Sequence, residues 1–418
     1  MPQSSAELPA NGLLGRRRFI AGLSATPLLV ATAPGNTEPV LLRRTPGSAM
    51  RAYGSPAEAE SHVVRQRIRS QPGTTGSGAS ATPLQHLRGT ITPTGLHFER
   101  HHSGVPTINP NSHTLTLTGA VNKSLRLNLD ELHRYPMVTR TQFLECSGNS
   151  AGALAPKPLP WDCADLHGLV SASEWTGVPL SYLLEEAGVD DALKNGWVIA
   201  EGADAARMNR SVPLQKCLDD AIIALYQNGE RLRPENGYPM RLFLPGFEGN
   251  MSIKWLHRLE VSAQPAMSRE ETSKYTDLMP NGRAKGFSFD MAVKSLITSP
   301  SPGLDLQKKG VYQISGLAWG GTGAIRRVEV SADGGSSWMD ANFENEPQPF
   351  ALARFSTAWQ WRGQPAALLS RATDSAGNVQ PTRTAWLAAN GANAFYHYNA
   401  LQLWQVADNG EVKNAYQS

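Results

Sequence analysis

From about residue 86 the chain alternates short apolar and polar blocks rather than forming long runs. Leu115 and Leu117 sit between Thr114, Thr116 and Thr118 with a period of two, and the run stops at Gly119. Residues 138–145 read as a second strand, which ends on Cys146 and a Ser147-Gly148-Asn149 turn. Further strands are expected at residues 197–201, 221–226, 240–244 and 253–261, with Asn228-Gly229 making a hairpin turn. Two short helices interrupt them. One covers residues 129–133 before Pro136. The other covers residues 178–188, with Leu180, Leu183 and Leu184 at helical spacing, a proline in its first turn and a glycine stop. Strands and short helices without a regular βαβ rhythm predict an α+β domain over residues 86–265.

Beyond residue 265 the texture changes. Runs at residues 311–314, 324–331, 350–355 and 366–373 alternate with turn sequences such as Asp333-Gly334-Gly335, and no helical spacing is evident. Residues 266–418 are therefore expected to form a small all-β, Ig-like sandwich. Residues 34–85 are poor in large apolar side chains and include the Gly/Ser-rich stretch 71–80, so they read as a flexible linker or wrapping arm. At the N-terminus, Arg16-Arg17-Arg18-Phe19-Ile20 precedes a weakly apolar stretch, 21–30, too short to span a bilayer, and then Ala31-Thr32-Ala33. Residues 1–33 read as a twin-arginine signal peptide lying outside the fold, which directs the folded protein to the periplasm.

Charge excludes some classes. The formal net charge is +3, and the first fifty residues carry five basic against two acidic side chains, leaving the rest near neutral. No basic stripe points to nucleic acid, and no long apolar run points to a membrane span. The three cysteines, Cys146, Cys163 and Cys217, are too few for a disulfide framework, and an odd number leaves at least one free. No Cys-x-x-Cys-His sequence is present to attach a c-type haem, and no spacing suits zinc. Cys163 and Cys217 read as small buried hydrophobes, with a disulfide between them as the alternative.

Cys146 carries the candidate chemistry. A lone cysteine is more often core filler, but a thiolate on a strand end offers a soft ligand in a rigid position. Its neighbours add specificity. Leu144-Glu145-Cys146-Ser147-Gly148-Asn149, the upstream residues 98–106, the downstream residues 237–246 and residues 253–256 together resemble the sulfite oxidase family of molybdenum enzymes. Residues 331–338 and 378–381 are similar to that family's C-terminal dimerisation domain, so the resemblance covers about residues 86–400. It implies a molybdenum-molybdopterin cofactor, a pyranopterin dithiolene, with Cys146 as the single protein ligand of the metal. It also implies a cofactor site formed by Phe98, Arg100, His101, His102, Asp204, Asn236, Arg241, Ser252 and Lys254. Arg241 and Lys254 would hold the pterin phosphate with backbone amides of residues 249–252, Asp204 would accept from the pterin ring, and Arg100 would face the substrate. Read without the resemblance, Arg241 is a solvent-facing strand residue, His101 and His102 are loop histidines, and Lys254 lies along the surface beside Trp255.

Two departures from the family pattern bear on substrate. Positions where sulfite-oxidising members carry arginines are Ser150 and Ala151, and the family's active-site tyrosine falls on Ala284, leaving Tyr275 as a substitute of unassigned position. Each charge-assisted hydrogen bond lost weakens anion binding by roughly 1.5–3 kcal/mol. The pattern resembles the branch of the family that oxidises sulfane sulfur in thiosulfate oxidation. It implies a persulfide on a sulfur carrier protein as substrate, entering past an open, less charged mouth, and a separate c-type cytochrome subunit as electron acceptor. It further implies a homodimer through the C-terminal domain within a heterotetramer. A periplasmic sulfite dehydrogenase, a methionine sulfoxide reductase and a metal-free exported binding protein are the competing expectations.

Overall fold

The computed structural model describes residues 11–15, 49–68, 75–190, 193 and 195–417. The arginine run Arg16–Arg18, the stretch 21–33 and residues 34–48 of the expected arm lie outside the described residues.

Alternation at Thr114–Gly119 buries Leu115 and Leu117 and leaves the threonines half-exposed, which sets one face of a five-stranded sheet. Its order is Asn209–Pro213, Trp197–Gly202, Leu256–Ser262, Thr114–Gly119, Leu125–Asn128, antiparallel except where Leu256–Ser262 runs parallel to Thr114–Gly119. A second sheet runs Glu230–Arg231, Ile222–Gln227, Val170–Pro179, Val138–Glu145, with Arg241–Phe243 also pairing on Ile222–Gln227. Leu183, Leu184, Val198, Ile223, Leu242 and Leu259 belong to the core cluster that joins the two sheets. The helix Leu180–Ala187 closes that core with Leu180, Leu183 and Leu184, and Gly188 ends it at φ 65°. It begins two residues later than expected because Val178 and Pro179 finish the ten-residue strand Val170–Pro179. That strand is buried on both faces at most positions, so no alternation marks it in the sequence.

The expected arm is part of this fold rather than a loose connector. Gln66–Ile68, Gly78–Ala81 and Glu99–His101 form a three-stranded antiparallel sheet in which Ala79 faces Arg100 and Gly78 faces His101. The glycine- and serine-rich composition of residues 75–80 serves close strand pairing there.

The C-terminal unit has two five-stranded sheets. One holds Leu13–Leu14, Ala353–Trp361, Gly310–Trp319 and Lys294–Ser299, with Asn342–Phe343 paired to Ala353–Trp361; the other runs Met339–Asp340, Ile325–Ser331, Ala366–Asp374, Leu403–Val406, Val412–Ala415. Both contribute to one core that includes Trp319, Phe355, Trp359, Val328, Leu368 and Trp404. Phe143, Val170 and Ala172 of the N-terminal unit join the same cluster, so apolar packing is continuous across the junction. Two expectations are corrected here. Residues 383–390 form a helix, capped by Thr382 and packed through Trp386, which too few apolar positions announced. Residues 11–15, expected outside the fold, include a strand on the edge of Ala353–Trp361.

Cys163 and Cys217 are fully buried, free and in different core clusters, which closes the disulfide alternative. Among the described residues no helix is long and apolar enough to cross a membrane.

Candidate active site

Cys146 is held at the end of its strand by backbone bonds on both sides. Its amide donates to Leu169 O at 2.9 Å, and its carbonyl accepts from Asn149 N at 2.9 Å. The Asn149 side chain pins the turn, donating to Glu145 Oε1 at 2.9 Å and accepting from Leu169 N at 3.1 Å. Ser147 accepts at its side chain from Asn250 Nδ2 at 2.9 Å and at its carbonyl from His397 N at 2.8 Å. Loop, second sheet and C-terminal unit thus fix one sulfur. Burial pushes the Cys146 thiol up, while the Gly148 amide and the Arg100 charge act against it; a thiolate here is favoured by a cation bound to it.

The sulfur faces a partly enclosed cavity. Its lining brings together Phe98, Arg100, His101, His102, Cys146, Asp204, Asn236, Arg241, Ser252 and Lys254 from five separate stretches of chain. Opposite ends of the site carry different chemistry. Arg241 is buried, donates only to the carbonyls of Asn236 and Ser252, at 3.0 and 2.8 Å, and leaves its Nε without a partner. Burial lowers its guanidinium to about 9. Lys254 donates to the Arg100 and Glu235 carbonyls, both at 3.1 Å, and to His101 Nδ1 at 2.8 Å. Burial first, then the Arg241 charge, pulls its ammonium well below the ordinary value, with Asp204 acting the other way. Gly237, at φ 113°, lets the two side chains pack against it, since a Cβ there would lie 3.1 Å from both Arg241 Cβ and Lys254 Cβ. Neither cation has a carboxylate salt bridge, a costly arrangement that an anionic ligand relieves. At Gly202 a Cβ would approach Lys254 O to 2.7 Å and Asp204 Oδ1 to 3.5 Å, so the chain packs closely beside both residues there. Asp204 accepts from Ser103 Oγ at 3.1 Å. Two cations for a phosphate, one buried and one half-buried, a carboxylate for ring N–H groups and one thiol for a metal fit a molybdopterin.

Around the thiol the donors are neutral or singly charged. Lys254 donates to His101 Nδ1, so His101 carries its proton on Nε2, 2.6 Å from Glu99 Oε2. Burial and the Lys254 and Arg100 charges lower both His101 and His102 to about 3, leaving both imidazoles neutral. Tyr275, unplaced by the sequence, lines the cavity at φ 55°; its hydroxyl lies 3.0 Å from His102 Nε2, whose N–H it accepts in one tautomer of the neutral ring. Burial, with Cys146 next, raises the phenol, so it stays a donor. The fully buried Arg210, bonded to Glu271 at 3.0 Å and Glu248 at 3.1 Å, lies 4.9 Å from the Tyr275 ring centre. Ala284, by contrast, is exposed on the hairpin Asp277–Leu278 and Ala284–Lys285.

The mouth differs from expectation in one respect. Neither Ser150 nor Ala151 lines the cavity. Ser150 is buried at φ 68°, accepts from Lys294 Nζ at 2.5 Å and donates to His167 Nδ1 at 2.7 Å, so it belongs to the junction with the C-terminal unit. That unit also reaches the Cys146 turn from its other side. A Cβ on Gly148 would lie 3.2 Å from the half-exposed Phe395 ring, and Asp277 accepts from Phe395 N at 2.7 Å. Asn250, Glu235, Met208 and Trp255 also line the cavity without having been singled out. Glu235 and Trp255 adjoin Asn236 and Lys254 in the sequence and Asn250 lies just before Ser252, which was the available signal; Met208, beyond Asp204, had none.

This fold and cavity define a molybdopterin-binding oxidoreductase. Residues 102–270 match the oxidoreductase molybdopterin binding domain, and residues 285–403 match the Mo-co oxidoreductase dimerisation domain. The chain is 32% identical to chicken (Gallus gallus) sulfite oxidase, over 71% of this chain and 69% of that one. It is also 32% identical to mouse (Mus musculus) mitochondrial sulfite oxidase, over 73% of this chain and 60% of the mouse protein, so it spans about three fifths of that longer relative. The chain belongs to the sulfite oxidase family. The crystal structure of the sulfane dehydrogenase SoxCD from Paracoccus pantotrophus superposes with a TM-score of 0.88 at 44% identity, covering 92% of this chain and 98% of the matched one.

Proposed function

We propose that the protein is the molybdenum subunit of a periplasmic sulfane dehydrogenase. Its substrate is a sulfane sulfur carried as a persulfide on a cysteine of a carrier protein, and its electrons leave to a c-type cytochrome subunit. The observation that carries the cofactor reading is that two cations without a carboxylate salt bridge among the described residues, the buried Arg241 and the half-buried Lys254, line one cavity with a lone thiol. Close similarity to a sulfane dehydrogenase over nearly the whole chain supports the substrate, as does a thiol surrounded by one guanidinium and one phenol. The export reading rests on the Arg16–Arg18 run, and the homodimer reading on the matched dimerisation domain, whose two sheets we take as Ig-like in broad architecture.

In this reading Cys146 is the metal's protein ligand, and no cluster of three His, Cys, Asp or Glu among the described residues offers an alternative metal site. Arg241 and Lys254 hold the phosphate, Asp204 the ring nitrogens, and Phe98, Asn236 and Ser252 complete the wall. The cofactor supplies two-electron redox chemistry with water as the oxygen source. The chain's own residues supply position. Arg100 offers a planar donor fork to oxygen atoms accumulating on the substrate sulfur, and Tyr275, kept protonated and accepting from the Nε2–H of a neutral His102, donates a second bond. His101 fixes Lys254.

Steady-state assays of the purified complex decide the substrate. Turnover with persulfidated carrier protein and reduction of a c-type cytochrome are expected; rapid turnover with free sulfite and none with the carrier would make the protein a sulfite dehydrogenase, the reading that 32% identity to sulfite oxidases supports. Elemental analysis separates both from a metal-free binding protein. About one molybdenum per chain is expected.

A further inference from the structure

Residues 11–15 lie on the edge of the strand Ala353–Trp361 as a short added strand. Leu13 and Leu14 pair antiparallel with Trp359 and Ala358. Leu13 is fully buried in the core that holds Ile314, Trp359 and Trp361, and Leu14 is nearly so. Asn11, Gly12 and Leu13 are each specified by a contact. Gln360 N donates to Gly12 O at 2.8 Å, and Trp359 Nε1 donates to Asn11 O at 3.2 Å. The Asn11 side chain donates to Ser337 Oγ at 2.6 Å and accepts from Leu13 N at 3.2 Å. Gly12 has φ 72°, and a Cβ on it would come 2.6 Å from Gln360 O, so only glycine fits. Main-chain bonds at an open sheet edge with a pocket for one apolar side chain are how sheets bind extended peptides.

Two features make this a site with a ligand rather than one more strand of the sheet. The added strand is only two residues long, against nine in the strand that receives it. Its pairing, Leu13 on Trp359 and Leu14 on Ala358, joins positions near opposite ends of the sequence, so its docking resembles that of a tethered peptide. The pocket for Leu13 exists only once Gly310–Trp319 and Ala353–Trp361 have paired and closed their core.

We propose that the sheet edge at residues 358–360 is a peptide-binding site for an extended Asn-Gly-Leu-Leu sequence, occupied in cis by residues 11–14, so that the Arg16–Arg18 run is tied to a folded sandwich. The link to export rests on reading those arginines as an export signal; the peptide site does not. A segment that docks only on the completed sandwich reports its folding to whatever reads the arginine run.

Hydrogen exchange at the Gln360 amide in the full-length protein tests the site. In Leu13→Asp and in Gly12→Val, exchange at Gln360 should accelerate about tenfold or more. A synthetic peptide of residues 9–17 should restore protection saturably, and the same peptide carrying Leu13→Asp should not. Unchanged exchange in the variants overturns the proposal, as does failure of the peptide to protect Gln360 in a variant whose circular dichroism matches the wild type. Gly12→Val keeps Leu13 in place as a side chain, so it decides the matter if Leu13→Asp does not fold. Should both variants fail to fold, the segment is integral to the sandwich and the proposal falls. If the site holds, blocking export with Arg16→Lys and Arg17→Lys while leaving Gln360 protected separates the peptide site from the export reading; export unaffected by those changes would remove only the latter.

Discussion

Arg241 and Lys254 are stabilising only in company. With the phosphate absent, Arg241 is a buried and Lys254 a half-buried cation facing carbonyls, and Arg241 Nε has no acceptor among the described residues. Arg241→Met should therefore stabilise the cofactor-free protein, by about 1–4 kcal/mol in urea unfolding, while abolishing pterin retention measured by fluorescence of the released cofactor. A destabilised cofactor-free variant would mean that the arginine serves the fold. Cys146 divides its roles differently, since the bond its sulfur accepts from the Gly148 amide is one that a serine hydroxyl also accepts. Cys146→Ser should lose the molybdenum, read by elemental analysis, and keep the wild-type melting curve without cofactor. Tyr275 is expected to stand where the family's tyrosine would. Tyr275→Phe should slow turnover about tenfold to a hundredfold, the worth of one hydrogen bond to a charged group, and adding Ala284→Tyr should not restore it because position 284 is exposed on the hairpin.

At the scale of the element, the strand Val138–Glu145 and the turn after it are anchored from the far side of the junction. Glu145 accepts from Lys294 Nζ at 3.0 Å, Trp319 Nε1 at 2.6 Å and Asn149 Nδ2 at 2.9 Å, all of them buried or nearly so. Lys294→Met removes the only cation among these partners and should cost about 3–5 kcal/mol in urea unfolding, because it strands a buried carboxylate; a loss below about 1 kcal/mol would show that the clamp is slack. How far such elements were legible depends on what their periodicity reports. Thr114–Gly119 and Leu180–Ala187 each have one wet face, so alternation and helical spacing betray them. Val170–Pro179 is buried on both faces and stayed hidden, as did the pairing of the Gly/Ser-rich residues 78–81 with Glu99–His101. The site divides the same way. Residues carried in contiguous motifs, such as those around Cys146 and Lys254, converge on one cavity. Tyr275 could not be placed because a buried phenol at positive φ leaves no local signature, and Ser150 was assigned to the mouth because sequence adjacency to Cys146 does not tell which way a left-handed residue turns its side chain.

Across the whole molecule, the regions matched to two families share one apolar core and one polar chain, which should make their unfolding a single transition. The polar chain runs from Lys294 through Ser150 to His167 Nδ1, and His167 Nε2 donates to Gln402 Oε1 at 3.0 Å. It links the turn that bears Cys146 to the outer sheet of the C-terminal unit. Burial, then the Lys294 charge, lowers His167 to about 3 from an ordinary 6.5. The folded protein thus keeps this imidazole neutral where the unfolded chain would protonate it. Between those two values the unfolded state holds one more proton, so the stability due to His167 is complete above pH 6.5 and is lost as pH falls toward 3, by about 1.4 kcal/mol per pH unit. Urea unfolding at pH 7.5, 6 and 5 should show stability falling with acid, and His167→Gln, which cannot take up a proton, should reduce that slope by about one proton's worth. Cys146 lies four residues before Ser150, so acid that opens this chain should release molybdenum in step with the loss of stability. Metal retained through the transition, or an unchanged slope in His167→Gln, would place the acid-labile contact elsewhere than the junction.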